Sequence, residues 1–191
     1  MFSPSTFALG TFVLLVSPGP TNALLAAAGA TSAERMARHR LIAAVVGGYA
    51  ISVGFLTLVS GPTLAERPWL VVVLKMTAAS WLLWTSVRLW RSGAMLSRSG
   101  GQIRARAVFV TTLLNPEGLV LAFGLMPTIS QRGESLLYCL ATLSLLSAIA
   151  ATLWVSFGVF LARTGAAPMV PKATALVFGI FGALLVASSA T

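Results

Sequence analysis

Ser17-Pro18-Gly19-Pro20-Thr21-Asn22 interrupts the first hydrophobic stretch of the chain, with apolar residues from Phe7 to Val16 before it and from Ala23 to Ala28 after it. Proline has no amide hydrogen and crowds the preceding turn, so this stretch breaks a segment otherwise long enough to cross a bilayer. A second interruption, Asn115-Pro116-Glu117-Gly118, lies inside a later hydrophobic stretch. In hydrocarbon, backbone groups freed by a break must find partners or reach water. The rest of the chain reads as a scaffold that sets the two breaks opposite each other.

Composition fixes the class. Of 191 residues, 57% are hydrophobic and only 9% are charged, against about 25% charged in soluble domains. Mean hydropathy is +0.91. These values imply a single-domain, all-α integral membrane protein. The net charge of +9 does not point to nucleic acid, because the arginines sit in short loops between apolar segments and no soluble basic domain is present. Cys139 is the single cysteine, which excludes an intramolecular disulfide, and it reads as a small apolar helix residue. One histidine, one cysteine and no aspartate cannot build a usual metal site, and no cofactor is expected. His39, among arginines, reads as a solvated loop residue, and no protease motif is present, so an enzyme is not expected. The start lacks a basic n-region, so no cleaved signal peptide is expected.

Six segments are long and apolar enough to span, at about 5–30, 40–60, 69–90, 107–129, 136–162 and 170–190. Arg35, Arg38 and Arg40 lie in the first loop, Arg91, Arg98, Arg104 and Arg106 in the third, and Arg163 and Lys172 in the fifth. The second and fourth loops hold one arginine each, Arg67 and Arg132, beside Glu66 and Glu134. The odd loops are therefore expected in the cytoplasm and both termini outside. Trp69, Tyr138 and Trp90 fall where an aromatic belt would be. The breaks, centred on Pro18 and Pro116, each lie in the first helix of a three-helix set with similar spacings. With three spans per half, the second half enters from the opposite face, which is the inverted repeat of many secondary transporters. Repeat one is expected at about 1–91, a cytoplasmic linker at about 92–106 and repeat two at about 107–191.

Asn115-Pro116-Glu117 has the order of a helix start, with an N-cap, a proline at the first position and an acid in the first turn. Both breaks should thus create helix N-termini near the midplane, where amides and the helix dipole favour anions. Glu34, Glu66 and Glu134 lie in loops, which leaves Glu117 as the only carboxylate within a span. Lys75 is the only basic residue well inside one, although its stem can also snorkel to the outer interface. Intramembrane charges are costly and mark function. Ala44, Gly48 and Ser52 read as a close-packing face, and Trp81 and Trp84 as packing or lipid-facing residues.

Pro18-Gly19-Pro20, the basic loop after it, Gly47-Gly48, Leu74-Lys75, Trp81-Leu82, Arg88, Trp90-Arg91, Asn115-Pro116 and Pro127 occur in that order. In this the chain resembles the LysE/RhtB family of amino-acid exporters over nearly its whole length. The resemblance implies a proton-driven exporter of amino acids or related small metabolites in a bacterial cytoplasmic (inner) membrane. Carried over, Pro18, Gly19, Pro20, Asn22, Asn115 and Pro116 line the central site, with Lys75 nearby. The family's lysine after Asn-Pro is Glu117 here, a reversal of charge that puts its substrates in doubt. The substrate carboxylate would meet Pro20–Asn22 or Lys75, while Glu117 holds an ammonium or the coupling proton. The expected partners are thus a small-molecule substrate, a coupling proton and lipid. A homodimer is compatible with this reading. A metal-ion exporter on a related scaffold and a non-transporting accessory protein are the alternatives.

Overall fold

Long apolar runs without alternation satisfy their own backbone only as helices. The computed structural model describes residues 4–31, 35–65, 68–98, 103–122, 136–165 and 169–188, and every regular element among them is helical. In chain order these are α1 (Pro4–Val16), α2 (Pro20–Thr31), α3 (Arg35–Ala65), α4 (Pro68–Arg98), α5 (Ala105–Leu113), α6 (Pro116–Val120), α7 (Leu136–Arg163) and α8 (Val170–Ala187). Leu121 and Ala122 extend α6 by a wider, π-helical turn.

Three helices among the described residues are long and apolar enough to cross a membrane: Arg38–Leu58, Leu136–Arg163 and Val170–Ala187. The pair Phe7–Val16 and Pro20–Thr31, bent by 56°, makes a fourth if it is one broken span. This is fewer than the six expected from the sequence. The expected 69–90 segment lies within the continuous helix α4. The expected 107–129 segment is covered by α5 and α6 as far as Ala122, and its remainder lies outside the described residues. So do Glu34, Glu66, Arg67, Pro127, Arg132 and Glu134.

The short helix α2 sits at the centre, with Pro20, Thr21, Asn22 and Leu24 to Gly29 all buried. It packs on α7, α8 and α5, while α3 packs on α5 and α7, and α4 on α8. Large apolar side chains such as Leu9, Phe55, Leu58, Leu145, Phe160 and Leu184 point outward, as lipid-facing positions do.

Glycine sets the closest of these approaches. A Cβ on Gly158 of α7 would overlap the Ala26 carbonyl of α2, and one on Gly29 of α2 would overlap the Val155 carbonyl of α7. The contact is reciprocal and backbone to backbone, the small-residue packing that apolar solvents favour. On α3, Gly48 lies against Thr112 of α5, and Ser52 donates to the Leu113 carbonyl at 3.1 Å. The face Ala44–Gly48–Ser52 thus packs helices closely.

These contacts also fix direction. Gly48 and Ser52 meet Thr112 and Leu113 in order, so α3 and α5 run parallel. Lys75 meets Ser188, and Ser86 meets Ala175, so α4 and α8 run antiparallel. The start of α3, the end of α4, the start of α5, the end of α7 and the start of α8 therefore share one end of the bundle. Arg38, Arg40, Arg91, Arg104, Arg163 and Lys172 lie there.

Gly158→Val has no room beside the Ala26 carbonyl. It should lower stability by about 1–3 kcal/mol, read as a lower unfolding temperature of the purified protein in detergent. An unchanged unfolding temperature would remove the α2–α7 contact from the fold's foundations.

Candidate functional site

A helix that stops leaves its last four carbonyls without intrahelical partners. At the end of α1 all four are taken. The Val13 and Leu14 carbonyls share the Ser17 amide, each at 3.1 Å, and Leu14 also accepts from the Ser17 hydroxyl at 2.7 Å. The Leu15 and Ser17 carbonyls both accept from Asn22 Nδ2, each at 2.7 Å. The Val16 carbonyl accepts from Trp154 Nε1 of α7 at 3.3 Å. Asn22 is thus a brace across the break. The chain restarts at Pro20, which is the first residue of α2 just as Pro116 is the first of α6. At that position a missing amide hydrogen costs nothing. The sequence centred the first break on Pro18, whereas the helix restart that matches Pro116 is Pro20.

The second break is closed by Asn115. Its Oδ1 accepts from the Glu117 amide at 3.1 Å, which is an N-cap. Its Nδ2, with two hydrogens to share among them, lies 2.9 Å from Thr21 Oγ1, 3.0 Å from Tyr49 Oη and 3.0 Å from Glu117 Oε2. The Tyr49 hydroxyl also donates to Glu117 Oε2. Glu117 Oε1 lies so close to Gly19 that a Cβ there would collide with it. Relative exposures of 0% for Thr21, 2% for Tyr49 and Asn115 and 7% for Glu117 place the whole group out of reach of bulk water.

Four parts of the chain therefore meet at one carboxylate: the first break, α2, α3 and the start of α6. A buried carboxylate is expensive unless it is hydrogen-bonded. Glu117 Oε2 has two donors. The acid also stands in the first turn of α6 and against the residue preceding α2, where helix dipoles favour negative charge. No basic side chain among the described residues pairs with it. Such a group can exchange its internal donors for an ammonium, or carry a proton.

Of the residues expected at the site, Gly19, Pro20, Asn115, Pro116 and Glu117 come together. Pro18 is exposed and faces an apolar cavity on the other side of the break. Asn22 serves α1. Lys75 stands apart, donating from Nζ to the Ser188 carbonyl at 3.2 Å, at the end of α8. A cation suits the negative end of that helix, and the long stem brings it there.

Thr21, within the expected Pro20–Asn22 stretch, and Tyr49, outside the expected residues, complete the cluster. Tyr49 did leave a signal. It is one of two tyrosines, in the middle of an apolar run, and a buried phenol needs a partner. Trp81 and Trp84 divide. Trp81 Nε1 donates to Thr111 Oγ1 at 3.0 Å and so ties α4 to α5, while Trp84 is exposed with Arg88 5.4 Å from its ring centre. His39 is exposed and Cys139 is buried. Among the described residues no three His, Cys, Asp or Glu side chains gather as metal ligands would.

Two cavities flank the cluster. One, of about 300 Å³, lies between α2, α7 and α8 and includes Pro18, Gly19, Trp154 and Phe157. The other, of about 290 Å³, lies between α3, α4 and the second break and includes Ser52, Phe55, Ala78 and Asn115. A larger groove of about 420 Å³, between α4 and α8 beside Trp90 and Arg91, is on the outer surface away from the cluster.

In comparisons with family models, curated proteins and solved structures, nothing matches the chain.

Asn115→Ala removes the cap and both Nδ2 donors at once, and should cost about 2–4 kcal/mol. Tyr49→Phe removes one donor from Glu117 and should cost about 1–3 kcal/mol. Thermal unfolding in detergent measures both, and the alanine variant should be the less stable. The reverse order would deny Asn115 its central place.

Proposed function

We propose that the chain is a secondary transporter that exports amino acids or related small zwitterionic metabolites by proton antiport. The observation that carries this reading is the meeting of two broken helices at a buried carboxylate. Non-helical backbone in hydrocarbon is tolerated where it is enclosed by protein or lines a route, and paired breaks mark the binding site of many transporters.

The packing supports an inverted repeat of six spans. Exchange the first broken helix with the second, α3 with α7, and α4 with α8. The contact of α2 with α7 then becomes that of α6 with α3, the contact of α1 with α7 becomes that of α5 with α3, and the α3–α7 and α4–α8 contacts map onto themselves. The basic residues at one end of the bundle support a cytoplasmic location for that end, with both termini outside and the bacterial inner membrane as the setting.

In this reading Glu117 is held by its internal partners when no substrate is bound. The carboxylate occupies the N-terminal approach to α2 that a substrate's own carboxylate would seek. Substrate entry displaces Glu117 towards its ammonium. Protonation of Glu117 from the outside releases that ammonium and lets the bundle return. Asn115 and Tyr49 hold the carboxylate between these events, so that a charge is not left bare in the bundle.

Glu117→Gln keeps the size and hydrogen-bonding capacity of the side chain and removes its charge. In reconstituted vesicles it should abolish efflux driven by a pH gradient and flatten the dependence of flux on pH. Wild-type pH dependence in this variant would rule out Glu117 as the coupling group.

A further inference from the structure

The groove of about 420 Å³ between α4 and α8 has Val87 and Trp90 on one wall and Leu176 and Ile180 on the other. All four are exposed. Ala175, Gly179 and Ser86 line it between them, and the Ser86 hydroxyl is spent on the Ala175 carbonyl at 2.7 Å. One charged residue, Arg91, borders the groove at its end. We infer that this groove holds one anionic phospholipid, with its phosphate between Arg91 and Lys172 and an acyl chain laid along Ile180 towards Ala183. The inference goes beyond the transport reading and needs only that the bundle lies in a membrane.

Helix register brings Lys172 to the same end. Ser86 meets Ala175 and Gly179, and Leu83 meets Gly182. Because the pair is antiparallel, each step forward along α4 is a step back along α8, and Arg91 comes level with the first turn of α8. Lys172 stands in that turn, three residues before Ala175 and four before Leu176, on the face that lines the groove. Both cations are exposed. Arg88, beside the groove, lies over the Trp84 ring. Glu117, the one carboxylate among the described residues, is buried at the helix breaks. Two cations from two helices are thus left at one end of an apolar channel, with no carboxylate among the described residues to meet them.

Length and charge choose the occupant. From Lys172 to Ala183 the helix rises about 16 Å, and one leaflet's share of a hydrocarbon core about 30 Å thick is about 15 Å. A chain that starts at the two cations therefore runs the groove from interface to midplane. The charged end is also the arginine-rich end of the bundle, where Trp90 takes an interfacial position. The long stems of Arg91 and Lys172 lie along apolar surface while their charges reach headgroup level. Apolar walls alone would accept any lipid. The paired cations favour a headgroup of net negative charge, as basic pockets between membrane helices do, and repel the ammonium of a zwitterionic one.

The experiment places the purified full chain in vesicles of phosphatidylglycerol and phosphatidylcholine, with one lipid or the other brominated on its chains. Quenching of Trp90 is read in each background as the difference made by Trp90→Phe. Brominated phosphatidylglycerol should quench Trp90 more strongly than brominated phosphatidylcholine at equal mole fraction. Arg91→Gln and Lys172→Gln should each lower that preference about fivefold, and Arg91→Lys should keep it. Arg104→Gln and Arg163→Gln, at the same end but outside the groove, should leave it unchanged. All these positions are exposed, so no variant touches the core. Equal quenching by the two lipids in the wild type would overturn the inference. An equal loss in the Arg104 and Arg163 variants would overturn it too, by giving the preference to the charge of the whole end. Trp90 shielded from both lipids, with ready cross-linking of Ile180→Cys between two copies, would overturn it and give the groove to a second copy of the chain.

Discussion

Main chain that leaves the helix inside an apolar bundle has no water to turn to, and each open carbonyl there must be given a donor. That constraint organises the structure around the first break. Ser17, Asn22 and Trp154 together satisfy the four carbonyls at the end of α1. Two of these donors are local, and the third comes from α7, 138 residues away in the chain. The break is therefore stable only when α7 is packed in place, and α7 reaches it only because Gly158 and Gly29 let the two backbones touch.

The second break is built on a different plan. Asn115 closes its own turn and then reaches outward to Thr21, Tyr49 and Glu117. The bond to Thr21 links the two halves of the chain through their interruptions. A network of this kind is stable when every member is satisfied and costly when one is not. It therefore favours a few discrete arrangements over continuous deformation.

The two breaks also divide the interior by polarity. Glu117, Tyr49, Asn115 and Thr21 form a thin polar layer, flanked by two apolar grooves that open outward at Pro18 and Met169 and at Ile51 and Phe55. Gly19 is the thinnest point of the layer. The absence of a side chain there lets the carboxylate of one break rest against the backbone of the other. The one carboxylate among the described residues is thus held where helix ends, the Tyr49 hydroxyl and the Asn115 amide can share its charge, and Lys75 is led away to the end of α8.

Much of this was written in local chemistry. The apolar runs required helices, the prolines required breaks, Asn115-Pro116-Glu117 spelled a helix start, and a lone in-span acid had to matter. Each follows from residues close together in the chain, because capping, backbone donors and helix period act over a few positions. Local chemistry did say that Ser17 and Asn22 would supply partners at the break, but not that Pro20 restarts the first broken helix or that Pro18 would face the opposite side from Glu117. Nor did it name Tyr49 as the partner of Glu117, 68 residues away. Those facts depend on how close α2, α3, α6 and α7 come to one another, and that distance is set by small residues meeting across helices. Only the folded packing decides which buried donor finds which buried acceptor.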